Sequence, residues 1–182
     1  LQFPKEPNRK TNRKNFLKTG ASAAMGLSGL TLISPHVQGK SMSYAAPSDK
    51  INLACIGIGN RGAEIIKELY TTGLCNVVAL CAVYMGAKQT LQIMEMFPQA
   101  KRFMDFRKMF DQIRGEFEAV SIAPPDFSHF PVTMMALKEG KHVYVEKPMA
   151  RTFQEVDLMM AAAKKYPKLA TQMGNQGHSE GN

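Results

Sequence analysis

The sequence has few of the residues that mark disulfide-rich or metal-binding proteins. It contains no tryptophan, three cysteines and four histidines. An odd number of cysteines in a chain of 182 residues provides no disulfide framework, and no Cys-x-x-Cys pair is present. The histidines are scattered without the spacing that metal ligands need, so we predict no metal site.

Most of the chain also lacks the excess positive charge of a nucleic-acid-binding protein. The net charge is +8, but residues 1–46 hold seven Lys/Arg and one Glu, whereas residues 47–182 hold sixteen Lys/Arg and fourteen Asp/Glu. The basic character therefore belongs to the N-terminal segment. Because the remainder is nearly neutral, a groove that binds phosphates through clustered positive charge is not expected, and no nucleic-acid partner is predicted.

Residues 1–46 show the order of zones found in an export signal. A basic stretch at 5–18 precedes a small-residue apolar run at 21–33 and a polar, turn-rich segment that ends near Ala46. The apolar run is shorter than the about 20 residues of a membrane-spanning helix, so we predict no stable membrane anchor. Residues 12–18 resemble a twin-arginine motif with Lys14 in place of the second arginine. We therefore predict an exported, periplasmic protein, and a disordered basic arm beside an amphipathic helix is the alternative.

From residue 50 onward, patterns of strand length and of helix length alternate. Apolar runs predict buried strands at 51–58 and 76–83, and further strand-length segments are predicted at 101–104, 119–123, 142–145 and 169–173. Helical spacing of apolar residues predicts helices at 61–70, 85–97, 106–113, 130–138 and 152–165, the last with a capping box formed by Thr152 and Glu155. This alternation is typical of an α/β domain with a doubly wound parallel sheet, which we place at 47–173.

Sulfur-containing residues are expected to fill the core of this domain. Cys55 and Cys81 fall in two predicted strands, and Cys75 falls in the turn before the second of them. Buried free cysteines behave as small hydrophobic residues, and the methionines of 94–109 are predicted to fill core space rather than bind a cofactor.

A glycine-rich hexapeptide lies between the first predicted strand and the first helix. In this position a Gly-x-Gly-x-x-Gly pattern predicts a dinucleotide site. The first glycine permits a tight turn, the second lets the backbone approach a pyrophosphate, and the third lets the helix pack closely on the strand, while the helix N-terminus attracts the phosphates. The predicted cofactor-binding residues here are Gly57, Ile58, Gly59, Asn60, Arg61 and Gly62. The alternative is a purely structural glycine turn.

The acid that usually accompanies this motif is missing. About 20 residues after the glycines, such domains carry an Asp or Glu that binds the adenosine ribose. Here that position is Ala82, the next residue on the same side is Tyr84, and the first downstream base is Lys88. The predicted cofactor is NAD or NADP, with NAD favoured, and because Ala82 stands in place of the acid we expect weak binding, a different hold on the adenosine end, or loss of binding.

Two further motifs follow later strands. Glu146-Lys147-Pro148 ends the run Gly-Lys-His-Val-Tyr-Val, and Pro125-Asp126-Phe127-Ser128-His129 follows the fourth strand. Together with the glycine loop, these segments make residues 50–182 resemble the glucose–fructose oxidoreductase / inositol 2-dehydrogenase (Gfo/Idh/MocA) family. The resemblance implies a Rossmann-like NAD(P)-binding domain. It also implies Lys147 as the catalytic residue, with cofactor contacts from Pro125, Asp126, His129, Glu146 and Lys147.

The predicted roles have simple chemical reasons and simple alternatives. Ligands of open parallel sheets bind beyond the carboxyl ends of the strands, where a lysine could exchange a proton with an alcohol or ketone. Glu146 could orient Lys147, whereas a solvated Glu-Lys pair is the plain alternative. A histidine at a helix start that is satisfied locally is the corresponding alternative for His129.

The resemblance leaves three functions open. The first is the cofactor domain of an NAD(P)-dependent oxidoreductase that acts on a sugar or polyol. The second is a catalytically silent domain, favoured by Ala82 and by Pro124, which replaces a usual threonine and stiffens the loop. The third, a redox-type NAD-dependent glycoside hydrolase, ranks lower because the resemblance implies that such relatives lack Glu-Lys-Pro. Residues 174–182 are expected to begin a connection to a substrate domain that this chain does not contain and through which homo-oligomers could form.

Overall fold

The computed structural model describes residues 49–175 and residue 177. The predicted export signal at 1–46 lies outside the described residues, as do most residues of the predicted connection at 174–182. Six parallel strands form one sheet in the described part. They are β1 (Ile51–Ile56), β2 (Cys75–Cys81), β3 (Lys101–Phe103), β4 (Ala119–Ile122), β5 (His142–Glu146) and β6 (Thr171–Gly174).

The strand order is β3-β2-β1-β4-β5-β6, which confirms the predicted doubly wound sheet. The direction of winding reverses between β1 and β4, so the loops after these two strands diverge and leave a crevice. Five helices connect the strands. They are α1 (Asn60–Thr71), α2 (Lys88–Met96), α3 (Phe106–Ile113), α4 (His129–Lys138), which follows a short 3-10 turn at Asp126–Ser128, and α5 (Phe153–Lys165).

Local sequence signals explain where several elements begin and end. The Thr152 side chain accepts a hydrogen bond from the Glu155 backbone N–H, and the Glu155 carboxylate accepts one from the Thr152 backbone N–H. This reciprocal capping box, predicted from the sequence, starts α5. β2 ends at Cys81, so the predicted strand at 76–83 extends two residues too far, and Val83 and Tyr84 in the loop that follows are 79% and 68% exposed. Their side chains therefore lie at the surface of the loop after β2 and not in the core.

The core consists of two clusters, one on each face of the sheet. Successive residues of a strand point to opposite faces. Ala54 and Ile56 of β1 accordingly join the cluster that packs under α3, α4 and α5, whereas Leu53 and Cys55 join the cluster under α1 and α2. The most deeply buried large side chains of the first cluster are Met109, Phe110, Phe117, Val120, Ile122 and Leu137.

The sulfur-containing residues follow the prediction only in part. All three cysteines are buried free thiols, and burial raises the pKa of each. Cys75, however, is the first residue of β2 and not a turn residue. Met94 and Met109 are buried as predicted, but Met96 and Met104 are 42% and 64% exposed. The prediction was wrong for these two because Met96 lies on the solvent side of α2 and Met104 lies in the loop after β3.

None of the helices within residues 49–175 is long and apolar enough to cross a membrane.

Candidate functional site

A cleft of about 590 Å³ opens at the carboxyl ends of β1, β2, β3 and β4. Its walls are the loops that follow these strands, so residues distant in sequence meet there. The lining residues include Gly57, Ile58, Gly59, Asn60 and Arg61 after β1, Ala82 and Tyr84 after β2, Asp105 and Arg107 after β3, and Pro124, Pro125, Phe127 and Ser128 after β4.

The glycine loop has the geometry that a dinucleotide site needs. Gly57 has a φ of +79°, and a Cβ atom there would collide with the backbone of Ala123 and Pro124. A Cβ atom at Gly62 would collide with the carbonyl oxygen of Gly57, so this glycine lets α1 pack directly on the loop. Gly59 is the N-cap of α1 and leaves the helix N-terminus facing the cleft.

Directly after β2, Ala82 offers the cleft no side chain that could accept a hydrogen bond. Ala82 is half-buried, and its backbone N–H donates to the Phe103 carbonyl oxygen at 3.0 Å, which places the end of β3 beside it. Sequence reasoning considered only the residues that follow β2 in the chain. The structure brings a charged pair from the start of α3, Asp105 and Arg107, to the same cleft.

Asp105 and Arg107 form a close ion pair. The Asp105 carboxylate accepts hydrogen bonds from the Arg107 backbone N–H at 2.9 Å, from Nε at 2.9 Å and from Nη2 at 2.7 Å. The Asp105 side chain is 29% exposed, whereas the Arg107 side chain is 70% exposed. The hydrogen bonds from Arg107 lower the pKa of Asp105 below its ordinary value. Burial, together with the Asp105 charge, raises the pKa of Cys81 to about 12.

Four exposed apolar side chains surround the mouth of the cleft. Val83, Tyr84, Met104 and Phe127 are 79%, 68%, 64% and 63% exposed, and all four line it. Large apolar side chains exposed together at a concave surface are typical of a binding site. Of these residues, only Tyr84 was considered at the sequence level as a position for ribose binding, and its side chain does not replace the missing acid.

The Glu-Lys-Pro segment ends β5, close to the glycine loop. Glu146 is 5% exposed, and its carboxylate lies 3.9 Å from Arg61 Nε and accepts the Lys147 backbone N–H at 3.2 Å. Arg61 also donates from Nη1 to Glu64 at 2.7 Å. Lys147 is exposed beyond the end of β5, outside the residues that line the cleft, and its peptide bond to Pro148 is cis. The end of β5 is thus joined to the first turn of α1.

The buried His129 side chain connects the loop at Pro124 with the segment at Pro148. It is 1% exposed, and its ring nitrogens Nδ1 and Nε2 lie 2.6 Å from the Pro148 carbonyl oxygen and 2.8 Å from the Pro124 carbonyl oxygen. Both partners are carbonyl oxygens, so a ring nitrogen that carries a proton donates to the carbonyl that it faces. The geometry therefore shows His129 joining the Pro124 loop to the Lys147–Pro148 segment, and its predicted cofactor contact stays a prediction.

Other predicted site residues occupy less direct positions. Pro125 lines the cleft, but Asp126 is exposed in the 3-10 turn, and the next two residues line the cleft instead. Gly62 lies under the loop rather than on the cleft surface. The cofactor contacts predicted for Asp126, Glu146 and Lys147 stay predictions. Within residues 49–175, no group of three or more His, Cys, Asp or Glu side chains could hold a metal ion.

The sequence profile of the oxidoreductase family with an NAD-binding Rossmann fold (Gfo/Idh/MocA) matches residues 51–174. Among solved structures, myo-inositol 2-dehydrogenase from Lactobacillus plantarum superposes with a TM-score of 0.64 at 25% identity, over 72% of this chain and 38% of the other. Scyllo-inositol dehydrogenase from Lactobacillus casei, solved with bound NAD(H) and scyllo-inositol, gives a TM-score of 0.62 at 22% identity, over 72% and 38%.

Curated relatives include proteins named for a hydrolytic function. A glycosyl hydrolase family 109 protein from Shewanella pealeana is 26% identical over 91% of this chain and 40% of its own length. An alpha-N-acetylgalactosaminidase from Tannerella forsythia is 28% identical over 79% of this chain and 34% of its own length. The chain therefore spans about 40% of the length of the first of these relatives.

Proposed function

The chain belongs to the Gfo/Idh/MocA oxidoreductase family, and from this membership we propose that it is the cofactor domain of an enzyme that acts on a sugar or polyol by hydride transfer. The observation that carries the proposal is the contact between its two motifs. Arg61 in the first turn of α1 lies 3.9 Å from Glu146, the residue before Lys147. A dinucleotide on the glycine loop and a proton-transfer group after β5 can therefore serve one site.

The residues of the cleft suit a nicotinamide dinucleotide. The glycine loop has no room for additional side chains, and the N-terminus of α1 supplies N–H groups and partial positive charge for a pyrophosphate. The exposed apolar rim at Val83, Tyr84, Met104 and Phe127 suits the faces of heteroaromatic rings. When bound, the cofactor supplies the hydride acceptor or donor.

Lys147 is proposed to hold and move a proton at the substrate hydroxyl or carbonyl oxygen. Its side chain is exposed and extends beyond the sheet, and the Glu146 carboxylate binds its backbone N–H. His129 holds the Pro148 carbonyl and thereby fixes the segment that carries Lys147. Transfer of a proton by such a positioned group contributes about 10²–10⁴-fold to a rate.

A second candidate function has support from the curated relatives. The glycosyl hydrolase family 109 proteins match most of this chain. A redox glycosidase oxidises its sugar transiently and returns the hydride, so it accumulates no reduced cofactor. The same cofactor domain would serve both reactions, and the substrate domain would decide between them. A catalytically silent domain is the third possibility, which Ala82 and Pro124 favour.

One experiment separates these three functions in a protein that continues this chain into a second domain. It is supplied with NAD⁺ or NADP⁺ and either an inositol or a 4-nitrophenyl N-acetylgalactosaminide. Accumulation of reduced cofactor with the inositol supports the dehydrogenase, whereas release of nitrophenol without net reduction supports the glycosidase. If the protein neither binds a dinucleotide nor converts either substrate, the domain is silent.

We further propose that the protein is exported and periplasmic, on the zone order of residues 1–46. N-terminal sequencing of periplasmic material from a bacterial host is then expected to begin near Ala46. Recovery of periplasmic protein that still carries residues 1–46 would contradict cleavage near Ala46.

A further inference from the structure

We propose that Arg107, held in place by Asp105, binds the 2′-phosphate of NADP beside the position where the acid of β2 is missing, and that the domain therefore accepts NADP. The inference rests on the proposed function, since it needs a dinucleotide in the cleft. It specifies which of the two dinucleotides binds well and which residue decides.

The first step is the absence of negative charge at the end of β2. An acid in this position accepts hydrogen bonds from the ribose hydroxyls of NAD and repels the additional phosphate of NADP. Ala82 does neither, and its half-buried methyl group leaves the adjacent wall of the cleft to the end of β3. The Ala82 N–H···O bond to Phe103 keeps these two strand ends side by side.

Of the two residues of the ion pair, Arg107 is the one available to a ligand. Both carboxylate oxygens of Asp105 already accept hydrogen bonds from Arg107. The guanidinium uses Nε and Nη2 for these bonds, and Nη1 forms no hydrogen bond to any residue within 49–175. Because the Arg107 side chain is 70% exposed on the cleft wall, its remaining N–H groups can reach a ligand.

The exposed group, the Arg107 guanidinium, is a hydrogen-bond donor that suits a phosphate. A guanidinium that a carboxylate holds in a fixed orientation is a good donor to phosphate oxygens, because less side-chain freedom is lost when the phosphate binds. A ribose diol, in contrast, needs an acceptor, and the acceptor on this wall is already occupied. The arrangement therefore favours a 2′-phosphate over a free 2′-hydroxyl.

The test titrates the 182-residue chain with NAD⁺ and NADP⁺ by calorimetry, in the wild type and in three variants. Arg107→Gln removes the proposed phosphate donor. Lys108→Gln is the matched control, because Lys108 is an exposed base on the same helix outside the cleft lining. Asp105→Asn keeps an N-cap residue for α3 while it removes the carboxylate charge. Circular dichroism confirms that each variant is folded.

The proposal expects NADP⁺ to bind at least as tightly as NAD⁺. Arg107→Gln should weaken NADP⁺ binding about tenfold or more, the factor that corresponds to one charge-assisted hydrogen bond, and should leave NAD⁺ within about twofold. Lys108→Gln should change neither affinity by more than about twofold, and Asp105→Asn should not weaken NAD⁺.

Three results would overturn the proposal. If both nucleotides bind but NAD⁺ is preferred by tenfold or more, the cofactor site stands and the role of Arg107 fails. If Asp105→Asn selectively weakens NAD⁺, the carboxylate rather than the guanidinium reads the ribose. If neither nucleotide binds, the proposed function fails, and this inference fails with it.

Discussion

Restoring an acid at the end of β2 should reverse the cofactor preference of this domain. In the variant Ala82→Asp the new carboxylate occupies the place where related domains bind the ribose hydroxyls. The backbone at this position is fixed by the 3.0 Å bond from the Ala82 N–H to Phe103, so the side chain is directed to the cleft wall. Charge-assisted hydrogen bonds contribute about 1.5–3 kcal/mol, which corresponds to a roughly 10- to 100-fold gain in NAD⁺ affinity.

The same variant should bind NADP⁺ less tightly. Two unit charges 4 Å apart interact with about 4 kcal/mol at an effective dielectric constant of about 20, and the open cleft and salt reduce this value. We therefore expect a loss of about tenfold for NADP⁺ at 0.1 M salt and a smaller loss at higher salt. Calorimetric titration of wild type, Ala82→Asp and the uncharged control Ala82→Asn measures both effects.

Only the aspartate should weaken NADP⁺, whereas both variants can offer an acceptor to the ribose. Equal NAD⁺ affinities in the wild type and Ala82→Asp would refute the reasoning. The ribose would then be held elsewhere, or Pro124 would already have closed the site to the cofactor.

Three further variants test other parts of the structure. His129→Ala should lower the free energy of unfolding by about 2–4 kcal/mol, because it leaves a cavity and removes the partner of the Pro124 and Pro148 carbonyls. Urea unfolding measures this loss. A variant as stable as the wild type would contradict the linking role of His129. Thr133→Val should stabilise the chain by about 1 kcal/mol in the same assay, because the buried Thr133 hydroxyl has no hydrogen-bond partner among the described residues. A destabilised variant would show that the hydroxyl does have a partner. The 182-residue chain alone should show no dehydrogenase activity. In a protein extended by a second domain, Lys147→Ala should lower the rate of the reaction about 10²–10⁴-fold. An unchanged rate would show that Lys147 does not transfer the proton.

The centre of the sheet could be predicted from the sequence because most residues of β1, β2 and β4 are buried or half-buried. Continuous apolar runs indicate the central strands, whereas β3 and β6 are short and largely exposed, and the helix at 106–113 was predicted with the bounds that the structure shows. Strand ends were less certain, since Val83 and Tyr84 are as apolar as the residues of β2 but face the cleft. An apolar run does not distinguish core residues from ligand-facing ones.

The candidate site was predictable only where its residues are neighbours in the chain. The glycine loop combines a turn, a close helix contact and a helix N-terminus within six residues, so the sequence pattern carries its geometry. Asp105 and Arg107 were missed because they reach Ala82 through the pairing of β2 with β3. His129 was predicted beside the cofactor, but its link to Pro148 depends on how α4 packs against the end of β5.

The central claim is that a nicotinamide dinucleotide binds on the glycine loop of this chain. Titration of the ¹⁵N-labelled 182-residue chain with NAD⁺ and NADP⁺, followed by amide NMR, tests it most directly. We predict saturable shifts at residues 57–62, at Ala82 and at Arg107, with little change in α5, which lies outside the cleft. An absence of shifts at millimolar nucleotide, or shifts confined to other surfaces, would contradict the claim.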